Sequence, residues 1–267
     1  MKAYDKGDIC TPFANGGLFT ITKVISLFRK AHLMYGILIE LLLSYLLLKY
    51  LAKTNLQAIG FLPSGIHLLQ LLVGILWAVL YHCCFEYGLS LLVHNPWKLN
   101  PAYGIPDFWS SFAYLLRSVV YEELIFRGAL LYLLIQRFGG RLAMLVSALS
   151  FGVYHWFAWQ AWGNPAQMLM ILATTGSVGF VFAYAFYRSR SVYLPIGLHF
   201  GNNLSAMVIF SKSDMLGKQL LLKQFVHDPV VPNALISLPA LFLHFAGFQL
   251  LTWLMLKWYF SWRKLAP

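Results

Sequence analysis

Charge is scarce in this sequence. Of its 267 residues 11% are charged and 60% are hydrophobic, where soluble domains carry roughly 25% charged residues. Aspartate and glutamate together number nine, against twenty lysines and arginines. Such a chain has too little charge to clothe a soluble globule, and the soluble-core class is excluded. Cysteine is also sparse. Cys10, Cys83 and Cys84 form neither a spaced metal pattern nor an even disulfide framework, and adjacent cysteines on a helix point in different directions. They read as apolar filler. No repeat recurs at a fixed period, so a repeat-built transporter gains no support. No low-complexity linker marks a second domain. The short alternating segments of a membrane β-barrel are missing. So is His-Glu-x-x-His, the usual zinc-protease signature.

What the chain has instead is apolar length. About 20 helical residues cross a hydrocarbon core of ~30 Å. Runs of that size fall at 31–52, 66–94, 107–136, 141–159, 165–187, 192–211 and 233–260. The expected fold is all-α: a polytopic transmembrane helix bundle of about seven helices, six to eight, in a multi-pass integral membrane protein. Residues 1–30 are mixed and read as an interfacial segment ahead of a membrane domain over 31–267. The first apolar run follows those mixed residues with no small-residue cleavage site, so no cleavable signal peptide is expected. The stretch 216–233 reads as a basic amphipathic connector on the membrane surface. The formal charge of +11 comes from residues at span ends, which suits anionic lipid headgroups better than nucleic acid. Seven spans place nine basic residues on each side, so the sidedness rule gives a tie.

Once the charges at span ends are set aside, six acidic or basic residues remain inside the runs: Glu40, Glu86, Arg117, Glu122, Glu123 and Arg127. Each costs about 2.5–3.5 kcal/mol at such depth, which makes an intramembrane charge a functional hypothesis by default. Four of the six lie on one helix. Glu123 and Arg127 are four apart and share a face, as an intrahelical ion pair requires. The four-residue neighbours of Glu122 are Ser118 and Phe126, neither of them a cation. Glu123 is therefore expected to be structural and Glu122 free to act. Two later spans add Phe151 with His155 and His199 with Asn203, each pair at one-turn spacing. Counted at 1.5 Å per residue from Arg137, Arg141 and Arg190, these groups converge at one level, roughly two-thirds of the way across. Five further histidines, His32, His67, His82, His94 and His244, read as hydrogen-bonded packing residues.

Glu-Glu-x-x-x-Arg at 122–127, Phe-x-x-x-His at 151–155 and His-x-x-x-Asn at 199–203, in this order on successive apolar helices, resemble the three signatures of the CPBP family. That family comprises the type II CAAX prenyl proteases, the bacteriocin-processing or immunity proteins and their bacterial relatives. The resemblance covers about 107–211 and implies a four-helix catalytic core in an intramembrane endopeptidase. It implies a peptide or protein substrate within or at the bilayer, no nucleic acid, and expected residence in a bacterial plasma membrane. Glu122 assisted by His155 would activate water, and His199 with Asn203 would form the oxyanion hole. Glu123, Arg127 and Phe151 would support the site. No cofactor is expected, with zinc on His155, His199 and Glu122 as the enzymatic alternative. An immunity-type partner binder and a proton-coupled carrier are the non-enzymatic alternatives. The substrate, prenylated or not, stays open.

Overall fold

Backbone polar groups that face lipid must be satisfied within their own segment, and helices do this for an apolar chain. The structure, a computed structural model, describes residues 34–213, 216–223 and 232–262, with the side chain of Trp262 set aside. The interfacial segment 1–30, Cys10 and His32 lie outside the described residues. In chain order the helices are α1 (Met34–Leu51), α2 (Gly65–Leu92), α3 (Ile105–Arg127), α4 (Ala129–Phe138), α5 (Gly140–Ala158), α6 (Pro165–Ser189), α7 (Tyr193–Leu204), α8 (Ala234–Phe242) and α9 (Phe248–Trp262). A short π-helical turn extends α7 through Ile209, and another joins α8 to α9. The protein is a helical membrane bundle. By length and apolarity alone, α1, α2, α6 and the continuous α8–α9 rod can cross a bilayer. The inner helices α3, α5 and α7 are shorter or more polar.

The polarity of the bundle is inverted. On α2, Leu72, Leu76 and Leu80 are exposed, whereas Glu123 and Arg127 on α3 are 0% exposed. In water such an apolar girdle would aggregate; against acyl chains it is the outer surface. With lipid as solvent, helices gain little from apolar burial alone and associate through close backbone approach and polar contacts. The second apolar cluster shows this logic: Leu194 and Leu198 of α7 pack with Ala78 of α2, Phe182 of α6 and Phe248 of α9.

Glycine makes the closest contact. Gly197 and Gly201, one turn apart on α7, face α2. A Cβ on Gly201 would stand 2.7 Å from the Ile75 carbonyl oxygen, and one on Gly197 would collide with that of Leu71. From the other side, a Cβ on Gly74 would stand 2.7 Å from the Leu198 nitrogen. His199, two residues from each glycine of α7, therefore points away from α2 and into the bundle. The α5–α6 contact is similar, with a Cβ on Gly152 meeting Gly176 Cα at 3.4 Å.

Two expectations are corrected. The span read over 107–136 is two helices, α3 and α4, broken at Gly128, whose backbone sits at φ −80°, ψ −140°. A Cβ there would collide with the Leu124 carbonyl oxygen, so glycine permits the break. Depth counted from Arg137 along one unbroken helix does not apply. The connector read over 216–233 is also not a simple surface segment. Its residues Leu221–Lys223 form β2, paired antiparallel with β1 (Trp97–Leu99) just before α3. Lys218 reaches the Ala102 carbonyl at 2.9 Å and Asp107 at 3.3 Å, tying this ribbon to the start of α3. Residues 224–231 lie outside the described residues.

Replacing Gly197 by valine is expected to lower the detergent melting temperature, with a destabilisation of at least the ~1–3 kcal/mol usual for overpacking. Thermal unfolding followed by tryptophan fluorescence checks it, and an unchanged melting temperature would contradict the close contact between α2 and α7.

Candidate active site

The site begins with an ion pair that the sequence spacing sets up. Glu123 and Arg127 occupy successive turns of α3, and Arg127 Nη1 donates to Glu123 Oε1 at 3.0 Å with both side chains fully buried. Two charges so buried need further partners to offset their desolvation. Arg127 finds them on α6 and in aromatic faces. Its Nη2 donates to the Gly179 carbonyl at 3.0 Å, and its guanidinium carbon lies 4.3 Å from the ring centre of Phe151 and 5.4 Å from that of Phe182. Gly179 keeps this space open, because a Cβ would stand 3.0 Å from Phe151 Cδ1 and 3.2 Å from Arg127 Nη2. Phe151 thus stacks on the cation of the pair, a cation–π contact strengthened by desolvation.

Glu123 has a second partner on a third helix. His199 Nδ1 donates to the same Oε1 at 2.8 Å, and Phe182 stacks on the imidazole with ring centres 5.0 Å apart. One carboxylate oxygen therefore joins α3 to α7, while Arg127 joins α3 to α6. With Nδ1 committed, His199 presents Nε2 to the other glutamate, 3.8 Å from Glu122 Oε2. Glu122 receives a hydrogen bond of 3.4 Å from Ser118 Oγ at its Oε1. Its Oε2 is buried and has no hydrogen-bond partner among the described residues.

His155 and Asn203 stand in a second ring. His155 Nδ1 donates to the Phe151 carbonyl at 2.8 Å, which leaves Nε2 as the free nitrogen. Its ring packs on Phe151 at 4.6 Å and the ring of His199 packs on the same phenylalanine at 5.8 Å. The two imidazole centres therefore lie within about 10.4 Å of each other, the sum of those distances. Asn203 lies one turn beyond His199 on α7 and accepts from Asn202 Nδ2 at 3.2 Å. The structure thus brings Glu122, Glu123, Arg127 and His199 into direct contact and links His155 through Phe151. It shows no hydrogen bond from Glu122 to His155 or Asn203. Sequence spacing reached the Glu123–Arg127 pair and the Ser118–Glu122 neighbourhood. It missed the Glu123–His199 bond and the Gly179 carbonyl, since neither contact has a local signal.

Two carboxylates and two imidazoles, one of each buried and the other half-buried in a helical membrane bundle, have the makings of a water-activating centre inside a membrane. Residues 104–205 match the family model described as Type II CAAX prenyl endopeptidase Rce1-like. That segment, somewhat under half of the chain, is similar to this family of CAAX proteases, and it contains all three motifs. The coarse class that this similarity supports is an intramembrane protease acting on a peptide substrate at the membrane. No curated protein and no solved structure matches the chain.

Breaking the buried pair from the cationic side should be costly. Arg127→Met is expected to lose about 3–5 kcal/mol, because it strands the Glu123 charge. Adding Glu123→Leu should restore part of that loss, since apolar replacement of a whole buried pair is often neutral or stabilising. Thermal melts of the single and double variants check it. A double variant less stable than Arg127→Met would show that the pair is not the structural unit described.

Proposed function

We propose that the protein hydrolyses a peptide bond within the membrane with Glu122 as the general base. The observation that carries this reading is the Oε2 atom of Glu122, buried and without a hydrogen-bond partner among the described residues, facing His199 Nε2 at 3.8 Å. An atom off the line between them can lie at a hydrogen-bond distance of about 2.8 Å from both, the place for a water or a reacting oxygen. Glu122 takes the proton as the water oxygen attacks the scissile carbonyl, and later delivers it to the leaving amine. His155, whose Nδ1–H is spent on the Phe151 carbonyl, offers the Nε2 lone pair to orient that water. His199 donates from Nε2 to the developing oxyanion, with Asn203 as the second donor. Because its Nδ1–H already serves Glu123, donation from Nε2 uses a second ring proton on His199. Phe151 and Phe182 hold the Arg127 guanidinium, and Arg127 keeps Glu123 in place. The similarity to that family supports a CAAX-type peptide, prenylated or not, as the substrate class, with a membrane-associated precursor peptide as the alternative.

Zinc on His155, His199 and Glu122 is the enzymatic alternative, which chelation tests. Among the described residues no three of His, Cys, Asp or Glu form a group that could hold a metal ion. The immunity-type binder and the proton carrier share the same scaffold but have no need of a carboxylate aimed at an imidazole nitrogen.

Glu122→Gln tests the proposal. An amide of the same shape keeps the packing but cannot take water's proton. Cleavage of a farnesylated CAAX peptide and of its unprenylated twin, by purified protein in detergent without any ion gradient, should fall at least a hundredfold, at the low end of a general base's usual 10²–10⁴-fold contribution. Expression and melting should stay near wild type. A Glu122→Gln protein that cleaves as fast as wild type would overturn the assignment. Chelation is the companion measurement: activity should survive it, and stoichiometric zinc whose removal abolishes cleavage and whose return restores it would favour the metal reading.

A further inference from the structure

Among the described residues the roles above leave one half-buried polar chain unused. On α2, His82 Nε2 lies 2.9 Å from Asn202 Oδ1, and Asn202 Nδ2 donates to Asn203 Oδ1 at 3.2 Å. We infer that His82 acts through Asn202 as a positioning residue that sets which end of the Asn203 amide faces the reacting carbonyl. The inference rests on the proposed oxyanion role of Asn203.

A side-chain amide has its donor on one arm and its acceptor on the other, so a chain of amides has a direction. The first member decides that direction. With a proton on His82 Nε2, Asn202 Oδ1 accepts, Asn202 Nδ2 donates, and Asn203 Oδ1 is the atom consumed. Both N–H bonds of Asn203 then stay available for an oxyanion. With the proton on His82 Nδ1 alone, Nε2 becomes an acceptor and both amides turn over. Asn203 Nδ2 is then spent on Asn202, and its oxygen takes the outward place. A carbonyl oxygen there repels developing negative charge, where an N–H would stabilise it. In the structure Asn202 Oδ1 faces His82 and Asn202 Nδ2 faces Asn203, the arrangement that the productive direction uses.

The surroundings hold His82 in position. The glycine contacts at Gly74, Gly197 and Gly201 fix α7 against α2, so the His82–Asn202 distance is set by backbone packing. The Phe248 ring stacks on the imidazole at 5.6 Å and 29°, and Tyr81 packs edge-on at 5.3 Å, which fixes the ring plane. Asn203 lies one turn from His199 on the same face of α7, so the device reaches the site from the side opposite the Glu123 anchor. One carboxylate orients the first oxyanion donor, and one histidine orients the second.

Two measurements test this. The first is the tautomer, read by nitrogen NMR on protein labelled with ¹⁵N-histidine, with the His82 signals assigned by their loss in His82→Gln. The Nε2–H form is expected, and the Nδ1–H form would overturn the inference whether or not any peptide is cleaved. The second uses cleavage of the farnesylated CAAX peptide. His82→Phe should lower kcat about tenfold to a hundredfold, no more than the loss from deleting an oxyanion donor outright, with KM and melting unchanged. His82→Gln, whose amide can donate to Asn202, should recover most of kcat. In an Asn203→Ala background His82→Phe should cost nothing further. A well-folded His82→Phe protein with full kcat, or a loss that multiplies with that of Asn203→Ala, would overturn the inference. Failure of the broader proposal has a different mark, an active Glu122→Gln protein.

Discussion

The site depends on one carboxylate oxygen. Glu123 Oε1 receives Arg127 Nη1 from its own helix at 3.0 Å and His199 Nδ1 from α7 at 2.8 Å. In a membrane the apolar surfaces of helices have little reason to prefer one another over lipid, so a buried charged contact of this kind sets the register of α3 against α7. Arg127 carries the restraint onward to α6 through the Gly179 carbonyl. Phe151 and Phe182, packed between the guanidinium and the two imidazoles, turn the ion pair into a scaffold for the histidines.

This explains why two glutamates stand side by side in an otherwise apolar helix. Adjacent residues on a helix differ by about 100° in direction, so one position can face the scaffold while its neighbour faces a site. Glu123 spends its charge on holding His199. Glu122, with only a 3.4 Å contact from Ser118, keeps an oxygen for the Nε2 that this holding presents. The break at Gly128, directly after Arg127, ends α3 where its polar work ends. There Ser147 of α5 takes up the Phe126 carbonyl at 2.9 Å, satisfying an acceptor near the helix terminus.

Much of this was legible in the sequence, for a physical reason. Charge in lipid is costly enough that Glu122, Glu123 and Arg127 stand out without any other information, and helical periodicity alone pairs 123 with 127 and Ser118 with Glu122. The apolar runs likewise marked the helices closely: 66–94 corresponds to α2 at Gly65–Leu92, and 165–187 to α6 at Pro165–Ser189. What escaped was non-local or carried by absent atoms. A hydrogen bond between residues 123 and 199 has no sequence period. Gly128, Gly179 and Gly197 act through the Cβ they lack, and within an apolar run a glycine at a break looks the same as one at a helix contact. The strand at Leu221–Lys223 was hidden because three residues are too few to show alternation, and its partner lies more than a hundred residues away. His82 read as a packing histidine because its partner amide becomes visible only once α2 and α7 are placed together.

The central claim is that the two adjacent glutamates divide structure from chemistry, and Glu123→Gln tests it most directly. The glutamine oxygen can still accept from His199 and Arg127, but the counter-charge of a fully buried guanidinium is gone. The variant should melt well below wild type, losing up to the roughly 3–5 kcal/mol of a broken buried pair. At a temperature where it remains folded, it should still cleave its peptide. A Glu123→Gln protein that melts like wild type yet cleaves nothing would show that Glu123 performs the chemistry and that the roles assigned to the pair are reversed.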